Sequence, residues 1–243
     1  MRLDKYISYA GYGTRSEVKK LIRNGHVLIF GKIIKDGGYI LSDEEKGAVQ
    51  VNGEATKASD SLYYMLHKPD GFLTAIGDKR LPAISEFIPD PLLFKGLSPV
   101  GRLDYHTTGL LLLTNDGTLS HRLTSPKWHI EKEYEIQYEG ESLRQKEIDL
   151  FSEGLRIQEK NSPPLSFLPA KLKILEEKRA LLTIQEGKTH QIKRMFSAVN
   201  RPIVTLHRTR IGKIQLSDLP LGELRALQED EVLLLKEDAQ MIK

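Results

Sequence analysis

The stretch of residues 99–117 reads Pro99-Val-Gly-Arg-Leu-Asp-Tyr-His-Thr-Thr-Gly-Leu-Leu-Leu-Leu-Thr-Asn-Asp-Gly117 and joins one carboxylate to one apolar run. A short run such as the leucines at 110–113, bounded by turn residues, is typical of a buried strand. We therefore expect Asp104 on a loop that the strand holds rigidly, which is a common setting for a catalytic acid. A turn residue without chemistry is the equally weighted alternative, because Asp is also frequent in turns.

The composition is that of an ordinary globular protein, and it excludes several classes of function. The 243 residues leave room for one large domain or for a small domain and a larger one. The chain has no cysteine, which excludes disulfides, thiol catalysis and cysteine-bound zinc and fits a reducing compartment. No apolar run approaches the length of a membrane span, and the first residues lack the pattern of a signal peptide. We therefore expect a cytoplasmic protein.

Positive charge is concentrated in two zones, although the net charge is only +3. Residues 1–35 contain eight basic residues against two acidic ones, and residues 187–213 contain seven basic residues and no acidic one. Two separate basic zones indicate a polyanion that is held at two places, with two solvated faces as the alternative.

The first part of the chain predicts a small helical module. Thr14 and Glu17 have the spacing of a capping box, in which each side chain bonds to the backbone of the other residue. The apolar positions 18, 21 and 22 then form one helical stripe, while the basic positions 15, 19 and 23 share another face. Short strands are predicted at 27–30 and 49–51.

Several segments of residues 1–57 resemble the S4 domain, a small RNA-binding module. The resemblance is carried by Arg-Leu-Asp-Lys-Tyr-Ile-Ser at 2–8, Thr-Arg-Ser-Glu at 14–17 and Gly-His-Val at 25–27. It implies RNA contacts from four basic side chains, which are Arg15, Lys19, Lys20 and Lys32. At 29–32 the chain has Ile-Phe-Gly-Lys where the family usually has Val-Asn-Gly-Lys, so Phe30 replaces a polar turn residue. The polar residues 58–61 are interpreted as a linker.

Residues 62–243 predict a sheet with flanking helices. Strands are expected at 62–66 and 132–138, a hairpin at 172–184, and a helix whose apolar positions are 192, 195, 196 and 199. In the alternating segment 132–138, Tyr134 faces the same side as Ile136 and Tyr138. On this pattern alone, Tyr134 is interpreted as an ordinary core tyrosine.

The segment Gly-Arg-Leu-Asp-x-x-Thr-x-Gly-Leu-Leu-Leu-Leu-Thr-Asn-Asp-Gly at 101–117 resembles the signature of RNA pseudouridine synthases, particularly those that modify single sites in ribosomal RNA. Lys-Glu-Tyr at 132–134 and Gly-Lys-Thr-His-Gln-Ile-Lys-Arg at 187–194 resemble two further motifs of that family. The resemblance implies that Asp104 is the catalytic residue, that Tyr134 stacks on the target base, and that Lys193 is the active-site cation. The RNA-binding side chains expected beside them are Arg102, His190, Gln191 and Arg194.

The two resemblances together imply an α+β fold. A small helical S4 domain (1–57) should precede a catalytic domain (62–243) with a mixed, mainly antiparallel β-sheet, flanking helices and a central cleft. The implied reaction is isomerisation of uridine to pseudouridine by glycosidic bond cleavage and re-attachment at C5, with no cofactor or metal. Lysine at 193, where many members have arginine, and Leu-His-Arg at 206–208 resemble the small-subunit branch of the family, which implies 16S ribosomal RNA or a small-subunit assembly intermediate as the substrate. We expect the enzyme to be a monomer.

Three alternatives remain at this stage. The same chemistry on large-subunit (23S) ribosomal RNA is one, and a non-catalytic RNA-binding protein on the same scaffold is another. A carboxylate-based glycosidase or nuclease is the third, and it needs a second acid or metal ligands near Asp104. Asp116 is the nearest acidic candidate in sequence, but we expect it at the far end of the buried strand.

Overall fold

The computed structural model describes residues 1–56, 61–78, 80–94, 96–158 and 163–242. The chain divides into two compact units. The first consists of Met1–Leu62 and Ile88–Ser98, and the second of Tyr63–Phe87 and Pro99–Lys243. The predicted linker at 58–61 lies largely outside the described residues, and the predicted domain boundaries stay a prediction.

The first unit contains short helices and a small antiparallel sheet. Its helices are α1 (Leu3–Tyr9), α2 (Arg15–Arg23), α3 (Asp43–Lys46) and α4 (Asp90–Phe94). Its strands are β1 (Val27–Ile29), β2 (Lys32–Ile33), β3 (Val49–Val51) and β4 (Glu54–Ala55), in the order β2-β1-β3-β4. The predicted capping box is present, since the Thr14 side chain accepts from the Glu17 backbone while the Glu17 carboxylate accepts from the Thr14 backbone.

The core of the first unit joins α1 and α2 to the sheet. Leu3 and Ile7 of α1, Val18 and Ile22 of α2 and Val27 of β1 are all fully buried in one apolar cluster. The helical stripe predicted from residues 18–22 is therefore the face that packs against the sheet.

The second unit is built on a long mixed sheet. Its strands are β5 (Tyr63–Lys68), β6 (Ser98–Pro99), β7 (Thr107–Thr114), β8 (Lys132–Tyr138), β9 (Leu155–Ile157), β10 (Leu165–Phe167), β11 (Lys171–Glu176), β12 (Arg179–Ile184), β13 (Ile203–Ile211), β14 (Ile214–Gln215) and β15 (Leu224–Ala226). Its α-helices are α5 (Gly117–Thr124), α6 (Gln145–Glu153), α7 (Gln191–Ala198) and α8 (Glu229–Asp238), and 3₁₀ turns span Ile84–Phe87 and Pro126–Trp128.

The main sheet runs in the order β11-β12-β8-β13-β7-β5-β15, with β14 paired to β13 and β6 to β7. Neighbouring strands in this order are antiparallel, except β13 and β7, which are parallel. The expected mixed, mainly antiparallel α+β fold is confirmed. β9 and β10 form a separate two-stranded ribbon.

The parallel pair brings two backbones unusually close together. Gly109 in β7 is paired with Arg208 in β13, and it has a φ of +106°. A Cβ at this glycine would lie 2.3 Å from the Arg208 carbonyl oxygen, so no larger residue fits without moving a strand. The glycine of the 107–109 Thr-Thr-Gly segment is therefore required by sheet packing.

The strand predicted from the leucine run is the centre of this unit. Leu110 to Leu113 are all buried, with Leu110 and Leu112 in the cluster that also contains Leu119 and Leu123 of α5 and Ile211 of β13. Because β7 is packed in this way, the residues that directly precede it are anchored to the core. Among the described residues, no helix is long and apolar enough to cross a membrane.

Candidate active site

Asp104 lies on the loop between β6 and β7, as predicted, and that loop is pinned on both sides. Leu103 donates its backbone N–H to the Thr74 hydroxyl oxygen over 3.1 Å, and the same hydroxyl donates to the Leu103 carbonyl over 2.7 Å. The Thr107 N–H donates to the Asp104 carbonyl over 3.0 Å, which closes a tight turn before β7. The carboxylate therefore has a fixed backbone and a half-buried side chain, which is 31% exposed.

A fully buried lysine also bonds to the backbone of this loop. Lys68, at the end of β5, donates from Nζ to the carbonyl oxygens of Pro69, Tyr105 and Thr107 at 3.0, 3.1 and 2.9 Å. Burial lowers the pKa of Lys68 to about 8, against the opposing attraction of Asp70 and Asp104. The group thus remains charged at neutral pH, and its three donors are matched by three acceptors.

Strand β8 brings an aromatic ring to the same place. Tyr134 alternates with the half-buried Glu133 and Glu135, as the pattern predicted, and is buried like Ile136 and Tyr138 on the same face. The residue is only 8% exposed, and it lines the pocket beside Asp104.

Arg208 of β13 lies against Tyr134 and is itself buried, with 4% exposure. Its Nε donates to the Leu110 carbonyl over 2.7 Å, and its Nη1 lies 3.4 Å from the Tyr134 phenol oxygen. The guanidinium carbon is 5.9 Å from the centre of the Tyr134 ring, within the range of a cation–π contact. The arginine therefore fixes the tyrosine ring from β13.

Helix α7 and the residue before it supply the cations beside Asp104. The Lys193 ammonium lies 3.7 Å from Oδ2 of Asp104, and Nε2 of His190 lies 3.6 Å from Oδ1. His190 occupies the N-cap position of the helix, without a capping bond from its side chain, and has a left-handed backbone with φ 52°. Non-glycine residues in this conformation are uncommon and concentrate at functional sites.

These side chains line one pocket with a volume of about 80 Å³. Arg102, Asp104, Tyr134, His190 and Lys193 supply its polar and aromatic wall, and the apolar wall is formed by residues such as Ile184, Ile192 and Leu206. An adjoining pocket of about 410 Å³ shares His190 and Lys193 and adds Arg194 and Gln158. A fixed carboxylate, a ring and cations in one concave site form an arrangement suited to holding a base and reacting at its sugar.

Gln191 has a different setting from the other predicted RNA contacts. Its side chain is buried, and its amide donates to Glu186 over 2.9 Å while its oxygen accepts from the Lys188 backbone over 3.1 Å. These bonds hold the segment that precedes α7, and RNA contact by Gln191 stays a prediction.

The predicted RNA-binding residues of the first unit differ among themselves. Lys20 and Lys32 are exposed, as an RNA contact requires. Arg15, by contrast, donates from Nη2 to both carboxylate oxygens of the buried Asp4 at 3.0 and 3.1 Å, and Lys19 lies 4.0 Å from the same carboxylate. Part of the charge on this helix face is therefore balanced within the protein.

Sequence reasoning missed Lys68 and Arg208 as parts of the site. Lys68 falls in the Lys-Pro-Asp-Gly segment that ends a predicted strand, and Arg208 falls in the second basic zone and in the Leu-His-Arg segment at 206–208, but the sequence assigns neither side chain a role in the site. The available signal was periodicity, because Arg208 shares a face with the buried Leu206 and a charged residue in a core strand needs internal partners. The partners themselves are distant in sequence and could not be read from it.

With this fold and site, the chain belongs to the RNA pseudouridylate synthase family, whose model matches residues 62–198. The S4 domain model matches residues 1–46. Both expected memberships, and the expected enzyme class of RNA pseudouridine synthase, are confirmed. Within the described residues, no group of three or more His, Asp or Glu side chains is placed to hold a metal ion.

The chain is 40% identical to ribosomal small subunit pseudouridine synthase A of Haemophilus influenzae, over 96% of this chain and 98% of that protein. It is 38% identical to the protein of the same name from Escherichia coli strain K12, again over 96% and 98%. A crystal structure of a pseudouridylate synthase covers 97% of this chain and 99% of that chain, with a TM-score of 0.68 and 38% identity.

Proposed function

We propose that this protein converts one uridine of small-subunit (16S) ribosomal RNA to pseudouridine, using Asp104 as the catalytic carboxylate and no cofactor. The observation that carries the proposal is the convergence of Asp104, Tyr134 and Lys193 on one pocket, with 3.7 Å between the ammonium and the carboxylate. The names of the relatives that share nearly the whole chain support the small-subunit substrate.

The uridine must leave its base stack before it can enter the pocket. Flipping a base costs a few kcal/mol, which phosphate and stacking contacts have to offset. Tyr134 is proposed to stack on the uracil, since a ring fixed on a strand and backed by Arg208 presents a rigid surface. Arg102, His190, Lys193 and Arg194 line this pocket or the adjoining one and are proposed to hold the flanking RNA backbone.

In the reaction the N1–C1′ bond breaks, the uracil turns, and C5 bonds to C1′. The hydrogen on C5 is released as a proton and N1 gains one, so the product is an isomer of the substrate. Bond cleavage puts positive character on the sugar. An ionised carboxylate can stabilise this charge, attack the sugar as a nucleophile, or remove a proton from it. We propose that Asp104 does one of the last two, and both routes begin from the ionised form.

Lys193 is proposed to balance the charge of Asp104 and of the uracil as it departs. An ammonium 3.7 Å from the carboxylate can also approach the electron-rich oxygens of the base. His190 adds a second donor at 3.6 Å. Lys68 is proposed as a positioning residue, because its ammonium donates to the carbonyl oxygens of Tyr105 and Thr107, which follow Asp104 in the chain.

Residues 1–57 are proposed to form the S4 RNA-binding domain, residues 58–61 the linker and residues 62–243 the catalytic domain. The exposed cations of the first domain would bind a part of the RNA other than the target uridine. This second contact would raise the effective concentration of the target uridine at the catalytic domain. We propose a monomer, and a ribosomal RNA substrate supports a cytoplasmic location.

The test is to map pseudouridine in ribosomal RNA from cells that lack this protein. The proposal predicts that one pseudouridine of 16S RNA disappears and returns when the parent gene is restored. Loss of a 23S site instead would contradict the substrate assignment, and an unchanged map would contradict the function.

A further inference from the structure

Phe30 of the first unit has a conformation and an exposure that its packing does not explain. It forms the two-residue turn between β1 and β2 with Gly31, and the φ angles of the two residues are 47° and 75°. Both central residues of this turn are thus left-handed, as in a type I′ hairpin, which favours Asn-Gly. A phenylalanine with positive φ is an outlier, because bulky side chains are disfavoured in this region.

The same unit contains a matched turn with the favoured residues. Asn52 and Gly53 join β3 to β4 with φ angles of 53° and 84°, and the flanking residues Val51 and Glu54 are paired. Phe30 therefore occupies a turn position that the other hairpin of this unit fills with asparagine. The turn does not require a phenylalanine, so its backbone strain is not explained by the fold.

The phenylalanine also gains little from burial. Its side chain is 61% exposed, which makes it one of the most exposed large apolar residues described in the chain. A residue that is strained in its backbone and open to water contributes nothing to the core. Such a pairing of strain with exposure is typical of a side chain kept for contact with a partner.

The surroundings of Phe30 indicate a polyanionic partner. Residues 18–35 contain five basic residues and no acidic one. Lys32 is paired with Ile29 across the turn and is exposed, so a cation lies two residues from Phe30 at the end of the same turn. An aromatic ring flanked by cations is the combination that binds single-stranded nucleic acid, with stacking on a base and contacts to the phosphates.

We infer that Phe30 is a stacking platform for an unpaired RNA base, with Lys32 at the adjacent phosphate. The inference rests on the proposed function, and it specifies how the S4 unit recognises RNA: by an unpaired nucleotide rather than by duplex charge alone. Phe30 is not among the residues that line the pocket of Asp104, so a base stacked on it would be a second recognised nucleotide.

The test uses the full-length protein and two fluorescently labelled RNAs with equal numbers of phosphates, a hairpin with an unpaired loop and a blunt duplex. Phe30→Asn should raise the midpoint of thermal unfolding by roughly 2–4 °C, since it relieves turn strain. The same variant should bind the hairpin at least about fivefold more weakly and the duplex unchanged. Phe30→Trp should keep the preference for the hairpin.

Asn52→Phe is the reciprocal control, because it creates the same strained turn at the other hairpin. It should lower the unfolding midpoint without increasing affinity for either RNA. A Phe30→Asn variant that binds the hairpin as tightly as the parent would overturn the inference, and so would equal losses on both RNAs. Loss of binding to anionic lipid vesicles with unchanged RNA affinity would assign the ring to a membrane surface instead. None of these readouts depends on pseudouridine formation, so they separate this inference from the proposed reaction.

Discussion

Lys193 in helix α7 places its ammonium 3.7 Å from the carboxylate of Asp104, a residue on a distant loop before strand β7. The contact is half-exposed on both sides, with exposures of 39% and 31% for the two side chains. A pair this open contributes little to stability. Its significance is chemical, because it places a cation next to the group at which charge develops in the proposed reaction.

Replacing Lys193 tests that role. Lys193→Met should lower the single-turnover rate of pseudouridine formation by ~10²-fold, as losses of one preorganised electrostatic contact typically do. Lys193→Arg preserves the charge and should restore most of the rate. The measurement is release of tritium from RNA labelled at C5 of uridine. Equal rates for the parent and the methionine variant would remove Lys193 from the mechanism.

Lys68 is expected to matter for stability through its three backbone acceptors. Lys68→Met would remove the donor from three carbonyl oxygens, one of them in a fully buried bond, and should lower the free energy of unfolding by about 2–4 kcal/mol. Lys171→Met is the matched control, since that ammonium is 78% exposed and its pair with Glu131 lies at the surface. Urea unfolding of both variants measures the effect, and equal losses would contradict it.

The lowered pKa of Lys68 gives a dependence on pH. Burial lowers the folded-state value from 10.5 to about 8, so the unfolded chain binds more protons between these values. The free energy of unfolding of the parent should therefore gain a positive slope with pH over this window, relative to Lys68→Met. Unfolding curves of the two proteins from about pH 7 to about pH 10 test this, and parallel pH profiles would show that burial does not perturb Lys68.

Tyr134 can be tested for stacking separately from its place in the core. Tyr134→Phe keeps the ring and loses only the 3.4 Å contact with Arg208, so the rate should stay within about tenfold of the parent. Tyr134→Leu keeps an apolar side chain but removes the ring, and the rate should fall by roughly 5- to 150-fold if one base stacks there. Equal rates for the two variants would assign Tyr134 to packing alone.

The buried carboxylate of Asp4 should make the stability of the first unit sensitive to acid. Burial raises the pKa of its carboxyl, but hydrogen bonds from Arg2 and Arg15 outweigh burial and hold it below 3.8. The ionised carboxylate therefore stabilises the folded state at pH values above 3.8, the pKa of Asp4 in the unfolded chain. This stabilisation is lost as the pH falls through the lower pKa of Asp4 in the folded state. Asp4→Asn should cost about 1–3 kcal/mol near neutral pH and less near about pH 3.

The control for Asp4 is Asp36→Asn, in which an exposed side chain that accepts from the Gly38 N–H is replaced by one that can also accept. It should change the free energy of unfolding by less than about 0.5 kcal/mol. A gap between the Asp4 variant and the parent that does not narrow in acid would contradict the linkage.

The sequence predicted those parts of the fold that depend on local patterns. The leucine run gave β7, the alternation at 132–138 gave β8, and the capping box gave the start of α2. Asp104, Tyr134 and Lys193 could be named because each lies in a contiguous motif. Their convergence on one pocket is a property of the sheet order, which no local pattern encodes.

The residues that sequence reasoning missed have long-range partners. Lys68 meets the loop of Asp104, and Arg208 meets Tyr134 and the Leu110 carbonyl, only after β5, β7, β8 and β13 have assembled. The ion pair between Arg15 and Asp4 could not be predicted, because nothing in the sequence pairs the two residues; Arg15 is still 51% exposed, and its contact with RNA stays a prediction. Burial of a charge can be suspected from periodicity, but its partner requires the fold.

The central claim is that Asp104 carries the chemistry, and replacement of that carboxylate tests it most directly. Asp116→Asn is the matched control, because Asp116 caps helix α5 through the N–H groups of Thr118 and Leu119 and asparagine caps equally well. Tritium release from C5-labelled 16S RNA should be abolished in Asp104→Asn and retained in Asp116→Asn. Both variants should bind RNA as the parent does. Pseudouridine formation by Asp104→Asn at the parent rate would contradict the account.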